Sequence, residues 1–422
     1  MTRKRRTPIY AALAVAALLA AGCSSSASSP SAGSGGSTAS GAASGTPVRL
    51  MVDTVMTPSA AFGGLSFPYP ATAAKAAAVA LNKTGGIDGH PIQIDVCDNQ
   101  GNPNQSAACG REAKSNGDIA VIGAWDIQGA AEILPVLQSE GIPYVGALAG
   151  TATELTNPDS FIFDPGAVLA AYGTAALFSQ QDCKNVVEFG LTGQPGFAQE
   201  LAGQQAIAAK DGYKLETVNV SVGETDVSAP VSTALSMHPD CVSYEGDGQT
   251  TAKLVGAVRQ AGFTGKFITA IGSLLPPFLA SLGAVGNGVV VLNATLNPET
   301  STDPLVTDFR NQITAYVGAK NAPTDLNEFA QDAWSSVRLV DLALTGTGTY
   351  TAAALLKKLP TMCDVNVGNV YPNVDFCRPA VQSTTYPRVF NTYVQYFVAK
   401  NGQYVPIANK WYNIAYTVPT GS

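Results

Sequence analysis

"VRLMVDTV" (residues 48–55), "TAAKAAAVALNKTGG" (72–86) and "PIQIDVC" (91–97) follow one another along the chain, and their order decides the fold. The first is a short apolar run with the length and character of a strand. The second is an alanine-rich helical pattern closed by Gly85 and Gly86. The third is strand-like again. Strand, helix and strand in such close succession form a βαβ unit, whose two strands lie parallel in one sheet.

The alternation continues through "NPNQSAACGREAKSNG" as a helix, "IAVIG" as a strand, a helix around "AAEILPVLQSEG", and the strand "IPYVGAL". It starts afresh after "FIFDPG" (161–166). "VLAAYGTAALFSQQ" reads as a helix and "NVVEFG" as a strand, followed by a helix from about Phe197 to Lys210. The strands "KLETVNVSV", "CVSYEG", "KFITAIG" and "GVVVLNATLN" come next. Residues 303–358 are largely helical, and "VFNTYVQYFVAKNGQYVPI" reads as a β-hairpin turning at Asn401-Gly402. The class is α/β, with two successive units of similar size.

Ahead of the first strand stand Arg3, Lys4, Arg5 and Arg6, then an apolar stretch from Ile9 to Ala21 that is too short to span a bilayer. Ala20, Ala21 and Gly22 precede Cys23, and serine and glycine take over at the next residue. The pattern resembles a bacterial lipoprotein signal: residues 1–22 are expected to be removed and Cys23 lipidated, tethered by a flexible linker over 23–46. The alternative is an ordinary cleaved signal with an incidental cysteine. Losing the four cations takes the formal charge from −7 to −11. So acidic a chain has no electrostatic footprint for nucleic acid.

Setting Cys23 aside leaves six of the seven cysteines, an even number that suits an exported, disulfide-bonded protein. Position favours Cys97–Cys109, Cys183–Cys241 and Cys363–Cys377. With no close CxxC and only His90 and His238, no metal site and no cofactor are expected.

The order of these pieces, with "ALNKTGGIDGHPIQIDVCDNQGNP", "VIGAWDI", "IPYVGALAGTATELT" and "GQTTAKLVGAVRQAGF", resembles the leucine/isoleucine/valine-binding protein family. These are type I periplasmic binding proteins serving ABC importers, and the resemblance runs from about Val48 to Ile414. It implies two Rossmann-like lobes joined by a three-segment hinge, with a small-molecule ligand held between them. Lobe one is expected over 47–165 plus 294–370, and lobe two over 166–293 plus 371–418. The crossings fall near Phe163–Gly166, Leu292–Pro298 and between Leu359 and Tyr386. An ABC permease is the implied partner of what is expected to be a monomer on the outer face of the cell membrane.

Ligands in open parallel sheets bind beyond the carboxyl ends of strands, which selects the loops independently of family. In the loop Ala147–Glu154, small residues such as Ala149 and Gly150 leave backbone N–H groups accessible, and Thr151 adds a hydroxyl. By resemblance this loop holds the polar end of an amino acid; Thr151 as a helix cap is the alternative. In "GAWDIQG", Trp125 either stacks on ligand or belongs to the core, and Gln128 offers an amide donor. Gln194 and Phe197 are placed to close over the ligand, unless Phe197 is only a helix-start staple. Asp247 pairs with a ligand ammonium or caps a helix. Phe62, in "FGGLSFPY", brings aromatic surface to the lip.

One departure bears on the ligand. Amino-acid binders of the family carry a glutamate after the strand equivalent to "KFITAIG", where this chain reads "AIGSLLPPF" with no acid. Leucine-like ligands then depend on Asp126 or Asp247, and aromatic, amide or short organic acid ligands come into view. An enzyme is the competing class, but both histidines belong at the wrong strand ends, and no G-x-S-x-G or phosphate-binding glycine motif follows the first strand. A binding protein that reports to a membrane sensor would have the same fold as one that delivers cargo.

Overall fold

The computed structural model describes residues 43–421, so the signal-like segment and Cys23 lie outside the described residues. Among them, no helix is long and apolar enough to cross a membrane.

Two sheets organise the chain. The first holds β1 (Val48–Thr54), β2 (Ile92–Asp98), β3 (Val121–Ile122), β4 (Tyr144–Val145) and β5 (Ser160–Phe161), all parallel, in the order β2-β1-β3-β4-β5. β1 has a neighbour on each side and is buried at every residue but Arg49, which is why its sequence is apolar with little alternation. Its register pairs Val48 with Ile92 and Thr54 with Asp98.

The helix Tyr69–Lys83 begins three residues before the alanine-rich pattern, because Pro70 is accepted in a first helical turn. Its alanines pack closely against the helix Glu328–Leu344, which returns to cover this sheet late in the chain. Asn82 fixes the descent into β2: its side chain accepts from the Ile92 N–H at 2.7 Å and donates to the Ile92 carbonyl at 2.8 Å.

The second sheet has the order β12-β11-β10-β9-β8-β6-β7. Its parallel part is β6 (Asn185–Thr192), β7 (Lys214–Ser221), β8 (Cys241–Ser243), β9 (Lys266–Ala270) and β10 (Val290–Asn293). β11 (Tyr393–Lys400) runs antiparallel to β10, and β12 (Gln403–Pro406) and β13 (Tyr412–Asn413) both pair with β11. The β11–β12 hairpin turns through Asn401 and Gly402 at φ 54° and 76°, the left-handed pair a two-residue hairpin requires.

The chain passes between the sheets three times. It leaves β5 for the helix Gly166–Gln180, returns after β10 to the helices Pro304–Val317 and Glu328–Leu344, and re-enters the second sheet at β11. Before that last passage, Val367, Val370, Val374 and Phe376 bury into the cluster that holds Leu50 and Trp334. Three disulfides brace the architecture: Cys97–Cys109 ties β2 to the helix Pro103–Asn116, Cys183–Cys241 joins the entries of β6 and β8, and Cys363–Cys377 closes the long loop.

Candidate functional site

The carboxyl ends of both sheets face a shared cleft enclosing about 1180 Å³ of empty space, part of it open to solvent. The first sheet contributes the loops after β1, β3 and β4, and the second those after β6, β7, β8 and β9. Asp164, Gly166, Leu292 and Ala294 line it from two of the passages between the sheets, and Glu328 and Phe329 from the start of the returning helix.

An aromatic wall forms one side. Phe67 stacks on Trp125 with ring centroids 3.8 Å apart, and Phe62 stands edge-on to both, at 5.5 and 4.8 Å. Phe329 meets Trp125 edge-on at 6.2 Å. Backbone bonds hold the wall in place: Trp125 N–H donates to the Asp53 carbonyl at 2.9 Å, and Asn99 Nδ2 donates to the Trp125 carbonyl at 3.2 Å. Gly101 lies so close to Phe62 that a Cβ there would sit 2.7 Å from the ring. Trp125 is 5 % exposed, and its Nε1–H has no partner.

The rest of the polar lining is largely acidic. Asp164, Glu200, Glu245, Asp247 and Glu328 all face the cleft, and among the described residues no lysine, arginine or histidine does. Burial, with the neighbouring Glu245 charge, pushes the Glu200 carboxyl up to about 8. Burial raises Glu245 to about 7, and burial with the Asp164 charge raises Glu328 to about 8. Asp164 is raised to about 6 by burial, opposed by hydrogen bonds from Asp332 and the Gly166 N–H. Asp332 behind it is held well above the usual carboxylate range by burial and by Asp164. The site therefore gathers carboxyl groups that no protein cation pairs with, and burial makes four of them hold their protons to higher pH than usual.

The lips of the cleft touch. A Cβ on Gly63, after β1, would lie 2.5 Å from Gly223 Cα after β7. A Cβ on Gly196, after β6, would lie 3.1 Å from the Gly150 carbonyl oxygen. Loops of both sheets also share one apolar cluster, in which Val222, Leu275 and Phe278 pack with Phe62, Trp125 and Phe329.

Of the residues that sequence alone put at the ligand, Phe62, Trp125, Gln194 and Asp247 line the cleft. Asp247 is also the cap of the helix Gly248–Gln260, accepting from Thr250 N–H at 2.8 Å, so lining and capping are one residue's two roles. Asp126, Gln128, Ala149, Gly150, Thr151 and Phe197 are not among the lining residues. Thr151 caps the helix Ala152–Thr156 in a capping box with Glu154. The Glu154 carboxylate accepts from the Gly150 and Thr151 N–H groups at 3.0 and 3.1 Å and from the Thr151 hydroxyl, so the loop's donors are already used.

Asp126 turns under the sheet instead, accepting from Gly129 N–H at 2.9 Å. It pairs with Asp53, whose carboxyl burial and Asp126 hold well above the usual range. Phe197 packs beneath Gly190, where a Cβ would come within 2.7 Å of its ring, and Ala149 lies against Gly166. Gln128 is half-buried outside the lining.

The acid missing from "AIGSLLPPF" is supplied from elsewhere in the chain. Glu328 Oε1 reaches that loop so closely that a Cβ on Gly272 would meet it at 2.2 Å. Glu200, on the helix Phe197–Asp211, and Glu245, directly after β8, are likewise unmarked by any motif. Their one sequence signal is position near a strand end.

A search of curated proteins returns no match. Solved structures do match over most of the chain. The leucine binding protein LivK of Thermotoga maritima aligns at TM-score 0.70 and 17 % identity, over 87 % of this chain and 99 % of its own. A fatty acid ABC transporter substrate-binding protein from Thermomonospora curvata aligns at TM-score 0.73 and 14 % identity, over 89 % and 95 %. The LivJ protein of Streptococcus pneumoniae, solved with isoleucine, aligns at TM-score 0.68 and 17 % identity, over 85 % and 98 %. At such identities the likeness is one of fold. The sequence profile of the periplasmic binding protein family matches residues 55–403. With that match over most of its length, on two α/β lobes about a shared cleft, the chain belongs to the periplasmic binding protein family.

Proposed function

We propose that this chain captures a small organic ligand between its lobes and hands it to an ABC permease, binding it without chemical turnover. The observation that carries the reading is the cleft itself, lined by strand-end loops of both sheets and by the passages that join them. A ligand touching both lobes favours the closed form by the difference between its affinities for closed and open states. The closed form, with Gly63 against Gly223, is then what the permease receives. Neither His90 nor His238 reaches the cleft, which fits binding rather than proton-transfer chemistry.

The anchoring reading rests on the sequence around Cys23: lipidation there would hold the body at the outer face of the membrane through the 23–46 linker. Replacing Cys23→Ser and fractionating cells tests it, since the variant should leave the membrane fraction.

The capture reading is tested by a thermal-shift screen of the full chain against amino acids, amines, amides and organic acids. A ligand at a hundred times its Kd adds about 2.7 kcal/mol, visible as a raised Tm. Silence from a folded protein across the whole library would sink this reading.

A further inference from the structure

Four features of the cleft bear on what it takes. Its five acidic side chains face no lysine, arginine or histidine. Glu200 is 6 % exposed, lines the cleft, and has an Oε1 without any hydrogen-bond partner; the Oε1 of Glu245 beside it is equally unpartnered. A buried carboxylate oxygen left unmatched is destabilising unless something else in the occupied state pairs with it. The third feature is the wall of Trp125, Phe67 and Phe62, an electron-rich surface suited to an apolar body and to a nearby cation. The fourth is that the Gly150 and Thr151 N–H groups at its lip, the donors the sequence offers for a ligand's polar end, are already filled by Glu154.

We infer that the ligand is an organic cation without a carboxylate, an amine or guanidine on an apolar or aromatic body, its charge against Glu200 and Glu245 and its body on Trp125 and Phe67. The inference rests on the capture reading above and narrows it. An ammonium donates hydrogen bonds that these oxygens lack, and the pair is worth most where water is excluded. An acid or a zwitterion brings a negative end to a lining of carboxyl groups that holds no cation to receive it. A bare metal ion would leave the aromatic wall without a partner.

Calorimetric titration of the full chain near pH 8 separates the classes, with phenethylamine, 2-phenylethanol, phenylacetate, phenylalanine and isoleucine as probes and calcium chloride as a control. The expected result is that phenethylamine binds at least about tenfold more tightly than the others, a difference of ~1.4 kcal/mol. In Glu200→Gln and Glu245→Gln, nearly isosteric changes, that preference should shrink about tenfold while the Tm of the empty protein does not fall. Phenylalanine, isoleucine or phenylacetate binding as tightly as the amine would overturn the inference. So would an amine preference untouched in both variants, or calcium alone giving the same heat. Each of those leaves the capture reading standing if a solute still enters. No heat from any probe would overturn the inference, and the capture reading falls with it only if the wider library is equally silent.

Discussion

Gly63 and Gly223 meet across the cleft with no room for a side chain on either: a Cβ on one would lie 2.5 Å from the Cα of the other. Both have left-handed backbones, at φ 61° and 72°, so a larger residue meets conformational strain as well as a clash. The two lie on loops of different sheets, so the contact joins the two lips of the cleft.

Gly63→Ala should therefore hold the lobes apart. Small-angle scattering of the variant with saturating ligand is expected to show less compaction than the native chain, and affinity should fall about tenfold. Native-like compaction with native affinity would mean that the glycine contact is incidental to closure.

The buried acids give the empty protein a definite pH dependence. Glu200, Glu245 and Glu328 are raised to about 8, 7 and 8 by burial. Each keeps its proton longer when folded than when unfolded, where a glutamate titrates near 4.3. The folded state then binds more protons between those values, so its stability falls as pH rises from about 4.5 to about 8. The Tm of the empty chain should drop over that range at fixed ionic strength, less steeply in Glu200→Gln. Binding of a cationic probe should run the other way, tightening over the same window as the carboxyls ionise. A Tm rising from pH 5 to 8 would contradict this account.

Thr151 is expected to act on stability and not on ligand. Thr151→Ala removes a capping box and should cost about 1 kcal/mol in denaturant unfolding, with ligand affinity nearly unchanged. A large loss of affinity at native stability would restore the loop to the binding surface.

Trp125 should affect both. Trp125→Ala empties a buried site stacked on Phe67, with an expected loss of about 3–5 kcal/mol and of ligand binding. Trp125→Phe should recover most of the stability, and comparing the two by calorimetry separates packing from contact.

The Cys183–Cys241 bond closes a loop with a sequence separation of 58 and should stabilise by about 2–4 kcal/mol. The double variant Cys183→Ala with Cys241→Ala is expected to melt earlier yet bind the same ligand at low temperature. Loss of binding in a folded double variant would assign the bond a role in the site.

The architecture was legible because strand and helix alternate with distinct periods, and because cysteines at strand entries announce which strands are neighbours. β6 and β8 pair Val186 with Cys241, the register that brings Cys183 beside it. The site was legible only in part. Phe62, Trp125, Gln194 and Asp247 sit where strand ends point, and a rule of position finds them. Thr151 stayed ambiguous because a helix cap and a ligand hydroxyl have the same composition, and only Glu154's orientation shows the cap. Glu328 lies 164 residues beyond Asp164, yet the two share one acidic corner; such long-range convergence leaves no local trace in a single sequence.

At two points the seam where the lips meet is main chain on main chain: Gly63 on Gly223, and Gly196 on the Gly150 carbonyl. A boundary of this kind immobilises no rotamers when it forms and presents no charge to be matched. The seam itself thus selects nothing, and recognition is left to the interior. Retargeting such a protein to another cargo would be a matter of changing the chamber while leaving its gasket untouched.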